Sequence, residues 1–403
     1  MGRTLKPTTL RPARVLFPLG LSTAFSLIGD STLYAVLPTH AEVAGIALAA
    51  VGIVLSVNRI ARLVLNGPMG LAYDRWPRRC LYVPALLVGA LSTALYAVTG
   101  GLWPLILGRL LWGIAWSGIW IGGSTIILDV TTDADRGRWS GLYQTWFFGG
   151  VALGTLAGGI VTDQLGYPAA MWMGAALTAL GALVALVFLP ETRGARLRGA
   201  TPPALESGPP AAISADLWGA ASLQGVNRFV VAGALAATMA LLVQERLPAL
   251  SAALGVSTLT GVVTAGQMAL GISAALVAGI LSDRWGSRWR VAVTVMAIGT
   301  TGLLLLVWGA PAAVVAALLL VPLAGGSTQT LVNAVIGDVA DERRRGRAVG
   351  IVHTANDIGS ALGPPVAYAV LPWAELRGVY FVCAALFATQ FALAAWFRRR
   401  EVM

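Results

Sequence analysis

Twelve runs of apolar residues, parted by short breaks of Gly, Pro and charge, follow one another along the chain. They lie near 15–38, 45–69, 79–99, 103–127, 140–163, 167–189, 223–243, 257–281, 289–308, 311–336, 348–371 and 377–397. Each is about 20 residues or longer, enough for one helix to cross a hydrocarbon layer roughly 30 Å thick. The first run follows Arg3, Lys6, Arg11 and Arg14 as the apolar core of a leader would, but it extends to Pro38, too long for a cleaved segment, and is read as the first membrane helix. Between the sixth and seventh runs, ETRGARLRGATPPALESGPPAAIS is rich in Pro, Gly and Ala and has little with which to form a core. The pattern predicts an all-α membrane protein with 12 transmembrane helices in two six-helix bundles. Its parts are a tail 1–14, a bundle 15–189, a linker 190–222, a bundle 223–397 and a tail 398–403.

Charge sets the orientation. With the N-terminus in the cytoplasm, 23 of the 28 basic residues fall in cytoplasmic segments, among them Arg75, Arg78, Arg79, Arg136, Arg138, Arg228, Arg284, Arg288 and Arg290. Arg246 and Arg377 fall outside, and Arg59, Arg62 and Arg109 lie within spans. The positive-inside rule therefore places both termini in the cytoplasm of a multi-pass inner (plasma) membrane protein.

Composition excludes several classes. The chain is 57% hydrophobic and 11% charged, with a mean hydropathy of +0.76, whereas soluble chains carry about 25% charged residues. The net charge of +10 follows from the cytoplasmic arginines, so no nucleic-acid partner is implied. Lys6, in the tail, is the one lysine, which excludes a phosphate-binding GxxxxGK[ST] loop and a buried Schiff-base lysine. Cys80 and Cys383 read as small buried apolar residues. With His40 and His353 the only histidines, no metal site and no cofactor are expected.

The two halves repeat. GLAYDRWPRR (70–79) superposes on GILSDRWGSR (279–288) at an offset of 209, and the same offset carries Asp129 to Asp338 and Gly141, Gly150 and Gly154 to Gly350, Gly359 and Gly363. Two copies of a six-span unit enter the membrane in the same sense and are related by an axis along its normal. Gly70, Asp74 and Arg75 with Gly279, Asp283 and Arg284 sit on the short turns after helices two and eight, where each carboxylate is expected to approach the opposite half and gate the cytoplasmic side. Gly150, Gly154 and Gly158 recur every four residues and form a smooth packing face on helix five; Gly359, Gly363 and Pro364 take the corresponding place on helix eleven.

These residues resemble the major facilitator superfamily along nearly the whole chain. GLAYDRWPRR is similar to its G-x-L-A-D-R-x-G-R-R loop, with Pro77 in place of glycine. Leu105, Arg109, Trp112 and Gly113 resemble its fourth-helix arginine motif, and Gly141 through Gly159 its fifth-helix antiporter motif, with Thr155 in place of proline. Pro190-Glu191-Thr192 resembles a common ending of helix six. The resemblance implies the two-bundle fold, points to the drug:proton antiporter branch, and gives Arg109 a part in coupling.

Ionisable groups at membrane depth are costly and usually face a cavity or a partner. Asp30 shares a helical face with Ser22, Ser26 and Tyr34, and Ser56, Arg59, Arg62 and Asn66 share another. A carboxyl group whose solvation and arginine neighbours change between access states changes its proton affinity, which couples proton flow to transport. Asp30 is the first candidate carrier and Asp357 the second, with Arg109, Arg59 and Arg62 as coupling partners. Candidate cavity residues are Tyr34, Asn58, Trp112, Trp116, Trp120 and Gln144 in the first half and Gln329, Asn333, His353 and Asn356 in the second. Trp112, Trp116 and Trp120, four apart, read either as packing or as an aromatic substrate wall.

The expected function is proton-coupled antiport that exports amphipathic small molecules by alternating access. Substrate, protons and the lipid bilayer are the partners, and the chain is expected to act as a monomer. The alternative is proton-coupled symport importing an organic anion, which an excess of buried arginine over buried aspartate suits. An intramembrane enzyme using Asp30 and Asp357 as a catalytic pair is disfavoured, because the chain lacks the GxGD pattern of membrane aspartyl proteases and a twofold repeat with short loops suits alternating access.

Overall fold

The computed structural model describes residues 11–98, 100–132, 135–193, 214–339 and 345–402. Its helices are α1 (Pro12–Val36), α2 (Leu48–Arg75), α3 (Arg78–Val98), α4 (Leu102–Val130), α5 (Arg136–Leu165) and α6 (Tyr167–Phe188). The second half begins with α7 (Ala215–Arg246), whose middle stretch Arg228–Leu235 is π-helical. It continues with α8 (Val256–Trp285), α9 (Arg288–Trp308) and α10 (Pro311–Val339). The last helical segment breaks at Glu375, where φ is 53°, into α11 (345–374) and α12 (376–402). The described residues thus cross an apolar layer twelve times.

In the first half α2 packs on α4, α4 on α3, α3 on α6, α6 on α1 and α1 on α5. In the second, α8 packs on α10, α10 on α9 and α9 on the last helical segment, which returns to α7. The glycine faces explain how α1 and α7 sit so close to their partners. A Cβ at Gly150, Gly154 or Gly158 would strike Ala24, Ile28 or Thr32 of α1; one at Gly359 or Gly363 would strike Gly225 or Phe229 and Gly233 of α7. Only hydrogen in place of a side chain allows such backbone contact.

The halves pack chiefly through two pairs of helices, α2 with α11 and α5 with α8, with smaller contacts of α1 on α7 and α8. The described chain begins at Arg11 and ends at Val402 on one face of the molecule, here the terminal face, and the close cross-half contacts lie towards the other, the distal face. There Gly52 meets Pro364, Gly159 meets Ser257, and Gly261 meets Thr155 and Leu156. Asp163, in the last turn of α5, accepts hydrogen bonds from the backbone N–H groups of Ser257 (3.3 Å) and Thr258 (2.7 Å) in the first turn of α8. A carboxylate from one half thereby caps a helix of the other, where unpaired N–H groups and the helix dipole favour negative charge. Towards the terminal face, Cβ positions built on Gly67, Gly70, Gly137, Gly141 and Gly350 meet nothing within 4 Å. The space between the halves is therefore closed distally and open terminally.

Three sequence expectations change. The linker 190–222 is too long at its end, since α7 starts at Ala215: Ser214 accepts from the N–H of Leu217 (3.2 Å) and Asp216 occupies the first turn, an N-terminal signal that the Ala- and Gly-rich composition obscured. Consequently Arg228 is not a cytoplasmic anchor but lies about 20 Å along α7, in mid-span. Cys383 is buried, but Cys80 is exposed at the start of α3. Residues 194–213 of that linker, residues 1–10 and 403 of the tails, and Arg343 and Arg344 lie outside the described residues.

Candidate functional site

Two carboxylate–guanidinium pairs lie at mid-depth. In the first half Arg109 of α4, fully buried, bonds Asp30 of α1 at 2.5 Å; Asp30 is 15% exposed. Arg109 also donates to the hydroxyl of Tyr34 (2.9 Å), which in turn donates to the carbonyl of Leu55 (3.0 Å) and lies 3.5 Å from Asn58 Oδ1. The second pair joins the halves: Arg62 of α2 bonds Asp357 of α11 at 2.8 Å. Arg59, one turn away, also reaches across, donating to the carbonyls of Ala232 (2.9 Å) in the π-helical stretch of α7 and of Ser360 on α11. The guanidiniums of Arg59 and Arg109 each lie 5.1 Å from the centre of the Tyr34 ring.

On the second half, Gln224 donates to Gln329 (2.7 Å) and Asn356 (2.9 Å), and Arg228 donates to the same Gln329 oxygen (2.9 Å). Asn356 donates to Asp357 at 3.2 Å, and Gln329 lies 3.5 Å from Asn333, which is exposed. The network spans α7, α10 and α11 and ends on the carboxylate held by Arg62. His353 is exposed and hydrogen-bonds no described residue; Gln144 is half-buried. Among the described residues no group of three or more His, Cys, Asp and Glu could hold a metal.

Several placements depart from the sequence reading. Trp112 and Trp116 are 1% and 7% exposed and sit in the core of the first half, with the Trp112 ring against Gly89 of α3. A four-residue stride keeps one face, and here that face turns into the bundle; only Trp120 is half-buried. The three rings stack, with centres 6.2 and 5.8 Å apart, and continue onto Phe147 of α5. Ser22 and Ser26 are fully buried, and Ser22 bonds Tyr82 inside the bundle, so the polar stripe of α1 reaches the central space only near Asp30 and Tyr34. Arg59 and Arg62, which share a face with Ser56 and Asn66, are engaged with the second half.

The gating residues also stay within their own halves. Asp74, Arg75 and Arg284 are exposed; the backbone carbonyl of Asp74 accepts from Arg193, and Asp283 pairs with Arg288, which also holds Asp338 at 3.0 Å. Gly70 borders open space and Gly279 touches only Thr330. With the terminal side open, neither carboxylate meets the opposite half.

The sequence reading missed Gln224, Arg228, Phe147 and Phe148. The first two were signalled by a polar stripe, Gln224, Asn227 and Arg228, at helical spacing. The offset of 209 exposes the others: it carries Trp120 to Gln329, Phe147 to Asn356 and Phe148 to Asp357. The corresponding positions of the two halves are therefore aromatic on one side and polar on the other.

The sequence matches the model of the Major Facilitator Superfamily over residues 19–250 and 217–402, and the chain belongs to that family. It is similar to tetracycline resistance proteins: 25% identical over 398 residues to the class H protein of Pasteurella multocida, covering 94% of this chain and 95% of that one. To the class E protein of Escherichia coli it is 28% identical over 321 residues, covering 78% and 76%. Among solved structures, a bacterial homolog of the human lysosomal transporter Spinster, in its inward-facing and occupied conformation, superposes with a TM-score of 0.81 at 15% identity and 98% coverage of both chains. The protein is thus a multi-pass inner-membrane transporter resembling the drug:proton antiporter branch, and the intramembrane-enzyme alternative falls away.

Proposed function

We propose that this transporter is a proton-coupled antiporter that exports amphipathic small molecules by alternating access, acting as a monomer with both termini in the cytoplasm. On that orientation the terminal face is cytoplasmic and the structure is open inward. The likeness to tetracycline resistance proteins along most of the chain supports efflux.

The observation that carries the coupling is the pair Arg62–Asp357, because its members belong to opposite halves. A contact shared between the halves is the kind that a change of access remakes. Asp30 keeps its partner Arg109 within one half, so its surroundings change less. In proteoliposomes with an acid interior, Asp357→Asn is expected to abolish substrate-driven proton release while substrate exchange persists; Asp30→Asn is expected to slow transport and retain coupling. Full coupling in Asp357→Asn contradicts this assignment.

One observation favours a second reading, uptake of an organic anion together with protons: Arg59 and Arg228 have no carboxylate partner among the described residues. The two readings differ in the sign of linkage. Under antiport, substrate affinity falls as pH falls, whereas under symport it rises.

A further inference from the structure

Four guanidiniums, those of Arg59, Arg62, Arg109 and Arg228, gather at mid-depth around two carboxylates. Asp30 is taken by Arg109 and Asp357 by Arg62. Among the described residues Arg59 reaches the carbonyls of Ala232 and Ser360 and the face of the Tyr34 ring, and Arg228 reaches the amide oxygen of Gln329; neither pairs with a described carboxylate. The Arg228 Nε is buried without a partner. Amide and carbonyl oxygens satisfy N–H groups but do not balance a charge, and uncompensated positive charge in a low-dielectric span is costly. Arg59 comes from the first half and reaches α7 one turn beyond Arg228, so the two unbalanced charges lie beside the interface, one from each half.

We infer that the central site recognises its substrate by a negative charge: an amphipathic organic anion whose carboxylate, sulfonate or phosphate group sits at Arg228 and Arg59 and whose apolar part lies towards Trp120, Phe147 and Phe148. The repeat supports both ends of this assignment. The positions that carry Gln329, Asn356 and Asp357 around Arg228 in the second half carry those three aromatic residues in the first. The axis between the halves thereby sets a polar, basic wall opposite an aromatic one. Arg228 sits where α7 turns π-helical, and such segments are frequent at functional sites. A guanidinium that donates to Gln329 through one nitrogen keeps other N–H groups for a carboxylate or phosphate.

The inference rests on the transport reading and names the class of its substrate, but its test uses neither gradient nor proton flux. Purified full-length protein in nanodiscs of zwitterionic lipid is titrated calorimetrically with two naphthyl probes of equal size, one a sulfonate and one a trimethylammonium. The sulfonate is expected to bind at least tenfold more tightly. Arg228→Gln is expected to remove that preference and Arg228→Lys to restore part of it, with melting temperatures reporting the fold of each variant. Equal or tighter binding of the cation, binding of neither probe, or an unchanged ratio in a folded Arg228→Gln overturns the inference. Loss of coupling in the proteoliposome test leaves the charge preference standing, and loss of the preference leaves the coupling standing.

Discussion

Tyr34 lies between the guanidiniums of Arg59 and Arg109, and its hydroxyl is bonded to the second. It thereby links the Asp30–Arg109 pair, internal to one half, to the arginine that grips the other. The Trp ladder of α4 divides the same way between core and site. Trp112→Ala is expected to lower stability by about 3–5 kcal/mol, as for other large core truncations. Trp120→Ala is expected to keep a melting temperature close to the wild type and to weaken ligand binding; equal melting losses for both variants contradict the division. At this scale the sequence revealed charged groups that a membrane span must have a reason to hold, and so it found Asp30, Arg59, Arg62, Arg109 and Asp357. It did not reveal partners, because Arg62 and Asp357 are 295 residues apart. Arg228 escaped because it stands near the edge of the run 223–243 and reads with the cytoplasmic charges, whereas the helix begins at Ala215.

Short elements tie the helix ends together. Glu191, after α6, accepts from the backbone N–H groups of Arg78 (2.9 Å), Arg79 (3.0 Å) and Arg193 (2.8 Å), capping α3, while Thr192 bonds Asp129, itself held by Arg78. Partial burial pushes the Glu191 carboxyl up, but those N–H groups outweigh it and hold the group below its ordinary range. A depressed carboxyl adds stability above its unfolded pKa, near 4.3, that is lost as pH falls through its folded value. Glu191→Gln is therefore expected to melt lower than wild type at neutral pH, with the difference shrinking as the pH is taken below 4. A difference constant with pH contradicts the cap.

The corresponding turns of the two halves differ at Pro77 and Gly286. Gly286 takes a left-handed φ of 64° between α8 and α9, whereas Pro77 forbids that conformation and the chain leaves α2 through an extended Trp76. On the distal side, Asp163→Ala removes a cap worth about 1 kcal/mol from the closed state alone. In a Cys80→Ser background, Ser257→Cys is expected to react several-fold faster with an impermeant maleimide when Asp163 is replaced; an unchanged rate contradicts the latch. Glycine faces were legible because a four-residue stride is local. Which neighbour each face meets depends on how the bundle closes.

The whole molecule is two six-helix units in contact at one face. Span number and repeat were legible from hydropathy and the 209 offset, because hydrocarbon thickness fixes helix length and duplication leaves matching turns. The open side was not legible, since one sequence must serve both access states. Its signs are geometric: close cross-half contacts at Gly52, Gly159 and Asp163, and Asp74 and Asp283 each confined to its own half. Under the proposed alternating access the two faces exchange roles, and Arg62–Asp357, shared between the halves, is expected to break when the distal face opens. The most direct test is pulsed electron spin resonance on cysteine-free protein in nanodiscs. One spin-label pair spans the terminal face, at Trp76 and Trp285, and another the distal face, at Trp103 and Trp373; all four positions are exposed. Acidification, or Asp357→Asn at neutral pH, is expected to shorten the terminal distance and lengthen the distal one together. Distances that stay fixed, or that change in the same direction on both faces, would contradict the account.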